Sequence, residues 1–111
     1  MIHRDEVPRG FAAALEEFEK ELPAEATPAW LAQRAKLTTQ RLARLTKRLF
    51  DLTPGQFISK TRMAAASRML VDTTLSVSEI AHACGFYDHS AFTRAFRAVT
   101  SVTPTQFRAE R

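Results

Sequence analysis

Cysteine, glycine and long apolar stretches are scarce in this 111-residue sequence, and each scarcity argues against a class of protein. The single cysteine, Cys84, cannot form a disulfide within the chain, which favours a reducing compartment. No apolar run reaches the roughly 18 residues that span a bilayer, and the first residues lack the layout of a signal peptide. With only three glycines and few β-branched runs, the composition favours helices over strands. We expect a cytoplasmic protein without a membrane segment.

Charge is distributed unevenly along the chain. Residues 1–26 carry three Lys or Arg and seven Asp or Glu, a net charge of −4. Residues 27–111 carry thirteen Lys or Arg and five Asp or Glu, a net charge of +8. A polyanion such as nucleic acid is the economical partner for the basic part, although a solvated basic surface is equally compatible with charge alone.

An internal repeat organises the basic part. The segment Thr53-Pro54-Gly55-Gln56-Phe57 recurs fifty residues later as Thr103-Pro104-Thr105-Gln106-Phe107. Upstream, Arg44 corresponds to Arg94 at the same spacing of fifty residues. Further upstream the spacing falls to forty-nine residues, so that Leu37 corresponds to Phe86. Such a repeat indicates one supersecondary unit used twice.

Start and stop signals divide the chain into about seven helices. Ser, Thr or Asp caps, several followed by Pro at the first helical position or by Glu or Gln three residues later, predict the helix starts. No segment alternates with period two for long enough to form a strand. The sequence therefore predicts an all-α fold of two helix-turn-helix subdomains, residues 8–53 and 72–111, joined by a central linker helix over residues 54–71.

Apolar spacing separates an inner from an outer face on each helix. The acidic first helix carries a stripe that we expect to pack on the first unit. The third and sixth helices should point their apolar residues inward, and Trp30 should belong to the core. The inward positions predicted for these two helices are Leu42, Leu45 and Leu49, and Phe92, Ala95, Phe96 and Val99.

The opposite faces of the third and sixth helices carry polar residues suited to reading DNA. Arg can bond guanine as a fork, Gln can do the same for adenine, and Ser, Thr and His offer single bonds. An 18-residue linker is about 27 Å long, which would bring two reading helices to roughly one DNA turn, ~34 Å. The outward residues are Gln40, Arg41, Ala43, Arg44 and Lys47, then His89, Ser90, Thr93, Arg94 and Arg97.

Three segments of the second unit together resemble a known family signature: Leu75–Phe86, Ser90-Ala-Phe-Thr-Arg-Ala-Phe96 and Val102-Thr-Pro-Thr-Gln-Phe-Arg108. The signature is that of the DNA-binding domain of AraC/XylS-type bacterial transcription regulators. The resemblance covers about residues 8–109. It implies sequence-specific binding of double-stranded DNA by both reading helices. The implied base contacts are Gln40, Ala43 and Arg44 with His89, Ser90, Thr93 and Arg94. Backbone contacts are implied for Lys47, Arg48, Arg62 and Arg97, and the outward Arg41 is assigned to the same group.

The first unit departs from the family pattern at its turn and in its core. Lys36 stands where a turn glycine is usual, and Thr46 stands where a phenylalanine is usual. Asp51 and Ser101 replace glycine before each Thr-Pro. A lysine in a left-handed conformation costs about 1 kcal/mol, so we expect the second unit to be the better packed.

Other functions are open but less favoured. His82, Cys84 and His89 suggest a metal site or a nucleophile, but Cys84 occupies an inner position where a core thiol is expected, and no oriented base lies near it in the sequence. We predict no catalysis, cofactor or metal. The alternative function is a helical interaction module that docks on RNA polymerase or a regulatory partner. A sensor or dimerisation domain outside this chain and a nucleoid association are further expectations.

Overall fold

The computed structural model describes residues 7–110, and this part of the chain contains seven helices and no strand. None of these helices is both long and apolar enough to cross a bilayer. The all-α prediction is confirmed. The helices are α1 (Arg9–Glu21), α2 (Pro28–Ala35), α3 (Thr39–Phe50), α4 (Pro54–Asp72), α5 (Val77–Ala83), α6 (His89–Thr100) and α7 (Pro104–Glu110).

Side-chain caps start most of these helices where the sequence indicates. The Thr38 hydroxyl accepts from the Arg41 amide at 3.1 Å before α3, and the Asp88 carboxylate accepts from the Ala91 amide at 2.7 Å before α6. Capping boxes begin α4, α5 and α7. In the box before α5, Ser76 and Glu79 each accept from the other's backbone amide. Each cap satisfies an amide that the helix itself leaves unpaired, so the helix starts are locally encoded.

The chain divides into two compact units, and the boundary falls inside α4. The first unit ends at Lys60, and the second begins at Thr61. The central helix, predicted as a linker over residues 54–71, therefore contributes its beginning to the first unit and its remainder to the second.

The core of the first unit is centred on Phe18 of α1. Its ring lies 6.3 Å from the rings of both Trp30 and Phe57. Helices α1 and α2 pack so closely that a Cβ on Gly10 would lie 2.8 Å from the carbonyl oxygen of Ala35. The acidic helix is thus an integral part of this unit, as its apolar stripe predicts.

The core of the second unit is a row of phenylalanines. The ring centroids of Phe86 and Phe92 are 4.9 Å apart, those of Phe92 and Phe96 are 5.7 Å apart, and those of Phe96 and Phe107 are 5.3 Å apart. Arg108 of α7 donates to the carbonyls of Leu70, Thr73 and Leu75 at the end of α4 and just beyond it. A cation that bonds the last carbonyls of a helix also interacts favourably with its dipole.

Each unit turns its chain through a left-handed residue. Lys36 has φ of 60° between α2 and α3, and Gly85 has φ of 84° between α5 and α6. The residue after each turn donates its amide back to the preceding helix, Leu37 to the carbonyl of Ala32 at 2.9 Å and Phe86 to that of Ala81 at 3.0 Å. The two turns therefore share one hydrogen-bonding scheme, although only the second has the residue type that suits it.

Two predicted core residues are wrong, and two are only partly right. Leu49 is 37% exposed and Val99 is 68% exposed, whereas Trp30 and Ala95 are half-buried. Both misplaced residues lie in the last turn of a twelve-residue helix whose partner, α2 or α5, has eight or seven residues. The shorter helix leaves the end of the longer one uncovered, so periodicity overstated the length of the buried stripe.

Lys36→Gly should raise the free energy of unfolding by about 0.5–1 kcal/mol, because glycine adopts the left-handed backbone without the penalty of a Cβ. The matched change Gly85→Ala should lower it by about 1 kcal/mol or more. Urea unfolding followed by the helix signal in circular dichroism measures both. A Lys36→Gly variant less stable than the wild type would contradict this reading of the first turn.

Candidate nucleic-acid interface

The outer face of α3 is basic and solvent-exposed. Leu42, Leu45 and Thr46 are buried, which fixes the rotation of the helix about its axis. Shallow hollows run along the outer side, one lined by Arg41, Arg44, Leu45 and Arg48 and another by Ala43, Arg44, Lys47 and Arg48. The predicted residues of the first reading helix thus share one surface, with Gln40 exposed near its start and Ala43 half-buried at its base.

The outer face of α6 presents a second set of polar side chains. Phe92 and Phe96 are buried and orient the helix. His89, Ser90, Arg94 and Arg97 are exposed, and Thr93 is half-buried. His89 and Ser90 occupy the first turn, where a reading helix presents its residues to base edges.

Most of the guanidinium groups on these faces are not committed to other residues. Across residues 7–110, the side chains of Arg41, Arg44, Arg94 and Arg97 form no hydrogen bond or ion pair. An unpaired cation on an exposed helix is free to bind an anionic partner, and Arg44 and Arg94 occupy equivalent positions of the repeat.

Lys47 differs from these arginines because it has an intramolecular partner. Its Nζ lies 2.7 Å from Oδ1 of Asp51, one helical turn further on. The hydrogen bond and the charge of Lys47 lower the pKa of the Asp51 carboxyl, so this carboxylate is ionised at neutral pH.

Arg62 does not lie with the other predicted backbone contacts. Its side chain is buried, with 7% of the residue exposed, and Nη1 donates to the carbonyl oxygen of Cys84 at 3.1 Å. That carbonyl belongs to the C-cap of α5, so the guanidinium satisfies a helix end and interacts with its dipole. The structure thus gives Arg62 a role inside the second unit in place of an exposed position from which to bind phosphate.

Tyr87 is a further candidate contact, which was not among the residues predicted from the sequence. It is 92% exposed and precedes Asp88, the cap of α6. The second turn is one residue longer than the first, and Tyr87 is the additional residue between Phe86 and the cap. The change of the repeat register from fifty to forty-nine residues was the signal that could have revealed it.

Cys84 and its neighbours in sequence do not form a reactive cluster. Cys84 is fully buried, and its Sγ lies 3.8 Å from Sδ of Met69. Burial raises the pKa of the Cys84 thiol, whereas His82 and His89 are exposed. Among residues 7–110, no three His, Cys, Asp or Glu side chains are grouped as metal ligands.

These two helix-turn-helix units place the chain in a class of proteins that read nucleic acid through exposed helices. The family described as Helix-turn-helix domain matches residues 31–110, which is most of the chain. The chain belongs to the AraC-type helix-turn-helix family, whose members are DNA-binding transcription regulators and not enzymes.

Relatives of this chain include transcription regulators from bacteria. The HTH-type transcriptional regulator CdhR of Pseudomonas aeruginosa is 35% identical over 101 residues, which are 91% of this chain and 30% of that protein. The HTH-type transcriptional activator RhaS of Pectobacterium carotovorum is 36% identical over 78 residues, 70% of this chain and 28% of that protein. The chain therefore spans less than a third of the length of these relatives.

Solved structures share the fold over nearly the whole chain. The DNA-binding domain of AdpA, a global transcriptional factor crystallised with a target DNA, matches with a TM-score of 0.84, 27% identity and 91% coverage of both chains. The C-terminal domain of AraT, a response regulator from Geobacillus stearothermophilus, also gives a TM-score of 0.84, with 25% identity and coverage of 93% and 86%.

Arg62→Met should lower the free energy of unfolding by about 1–3 kcal/mol, because it leaves the buried carbonyl of Cys84 without its donor. The matched control is Arg68→Met on the same helix, where an exposed side chain is replaced and a change within about 0.5 kcal/mol is expected. Chemical unfolding of both variants gives the comparison. Equal stability of the two variants would mean that the bond from Arg62 contributes nothing.

Proposed function

We propose that this chain binds specific sequences of double-stranded DNA as the DNA-binding domain of a bacterial transcription regulator. Family membership and the likeness to a domain crystallised with its target DNA support the proposal. The observation that carries it for this chain is the pair Arg44 and Arg94. Both are exposed at equivalent positions of the repeat, and neither is paired with another described residue.

The residues of the two outer faces are assigned to base reading and to backbone binding. Contacts to base edges specify the sequence, whereas contacts to phosphate supply affinity that depends on salt. Gln40, Ala43 and Arg44 of α3 read bases, Ala43 only through the methyl group of thymine. On α6 the reading residues are His89, Ser90, Thr93 and Arg94. Arg41, Lys47, Arg48 and Arg97 bind the backbone, and the exposed Tyr87 hydroxyl is an additional donor to it.

Arg62 is excluded from the proposed contacts. Its guanidinium is buried and bonded to the carbonyl of Cys84, so binding a phosphate would require breaking that bond. We propose instead that it holds the end of α5, and through it the turn that precedes α6.

The two reading helices are proposed to enter successive major grooves. The support for this is the internal repeat, which supplies the same polar face twice within one chain. A single chain would then recognise two half-sites about one helical turn apart, as dimeric helix-turn-helix proteins do with two chains.

An interaction module that no longer reads DNA is the less favoured alternative, since such a module would have no need for two equivalent unpaired arginines. RNA polymerase and a separate sensor or dimerisation domain are proposed as further partners. The matched region is only about 30% of CdhR, which leaves room in such relatives for other domains. The proposed setting is the cytoplasm, at the nucleoid.

Salt dependence of binding separates the two functions. Four phosphate contacts predict a slope of log affinity against log salt of about −3 to −4, a loss of about a hundredfold between 50 and 200 mM salt. Fluorescence anisotropy with a labelled random-sequence duplex measures this. Absence of binding at 50 mM salt would contradict the DNA-binding proposal and favour the interaction module.

Arg94→Ala should weaken binding to a preferred duplex by about 1–3 kcal/mol and relax the preference at one base pair, because a forked bond to guanine is lost. Arg44→Ala should do the same in the other half-site. The control is Arg68→Ala, an exposed arginine on α4 outside both reading faces. Competition with single-base variants of the duplex gives the readout. Equal weakening on every duplex would make Arg94 a backbone contact.

A further inference from the structure

The last turns of the two reading helices have the same backbone but different side chains. Asp51 ends α3 with φ of 59°, and Ser101 ends α6 with φ of 71°. The amide of each bonds the carbonyl four residues earlier at 2.9 Å, that of Lys47 in the first unit and that of Arg97 in the second. Because both residues are left-handed and make the same amide bond, the exchange of Asp for Ser changes the charge at this position while the backbone arrangement is kept.

General principles indicate that the carboxylate of Asp51 adds little to the stability of the fold. A left-handed residue at the end of a helix is best supplied by Gly or Asn, and a negative charge there faces the negative end of the helix dipole. The ion pair with Lys47 is exposed on both sides, and such pairs contribute little to stability.

The carboxylate of Asp51 forms an ion pair with Lys47, a cation of the reading helix. Lys47 Nζ lies 2.7 Å from Asp51 Oδ1, and the ionised state of Asp51 is favoured by its lowered pKa. In the second unit, Arg97 forms no ion pair with any residue from 7 to 110. The first unit therefore offers one fewer free cation at the end of its reading helix.

We propose that Asp51 limits the affinity of the first unit for the DNA backbone by holding Lys47 and by repelling phosphate. The proposal rests on the proposed DNA-binding function. It follows that the first unit binds the DNA backbone with less affinity than its cations alone would give it, whereas Arg97 has no such ion pair among residues 7–110.

The test exchanges the charges between the units. Asp51→Asn keeps a side chain that tolerates the left-handed backbone and removes the charge. Its binding to duplex DNA should tighten, with a salt slope steeper by about one. The gain in affinity should accordingly shrink about threefold between 50 and 200 mM salt. Ser101→Asp should do the reverse in the second unit by giving Arg97 a carboxylate.

Two comparisons make the outcome decisive. In a Lys47→Ala background the gain from Asp51→Asn should shrink to the part that comes from relieving the repulsion of phosphate, whereas an undiminished gain would overturn the role of Lys47. If the wild type binds DNA with a steep salt slope and Asp51→Asn binds identically, this inference fails while the proposed function stands. If the wild type does not bind DNA, both fail. Unfolding curves of each variant verify that the fold is retained.

Discussion

The orientation of the polar side chains on α3 and α6 depends on one backbone constraint, the left-handed residue between the two helices of each unit. Lys36 and Gly85 reverse the chain direction so that the next amide can bond the preceding helix. With that bond made and the capping residue in place, the second helix has only one way to bury its apolar side. The polar side, with Arg44 or Arg94 on it, is then directed to solvent as a consequence of packing.

The two units satisfy this constraint with different means. The second has glycine at the turn and a row of phenylalanines behind its reading helix. The first has Lys36 at the turn and the smaller Thr46 in its core, where the threonine hydroxyl donates to the carbonyl of Ala43. Its aromatic packing joins rings from inside and outside the helix pair, since Phe18 of α1 lies against Trp30 of α2 and against Phe57 of α4. The acidic helix thus adds an aromatic ring to the core of the first unit.

Features that depend on interactions between residues close in sequence could be predicted from the sequence. Features that depend on interactions between distant residues could not. Caps such as Thr38 and Asp88 bond an amide three residues away, so their positions predicted the starts of the reading helices. The bond of Arg62 joins residues twenty-two apart, and no periodicity reveals it. The exposure of Val99 depends on how far a partner helix extends. The fold was therefore predictable, whereas which basic residues remain free for DNA required the packed structure.

One chain is proposed to read DNA with two separate helices. Selection of bound sites from a pool of random duplexes tests it most directly, because the protein itself chooses the sequence. We expect two enriched half-sites with centres about one helical turn apart, roughly 10 base pairs. A single enriched half-site, or a pool that remains random after repeated selection, would contradict it.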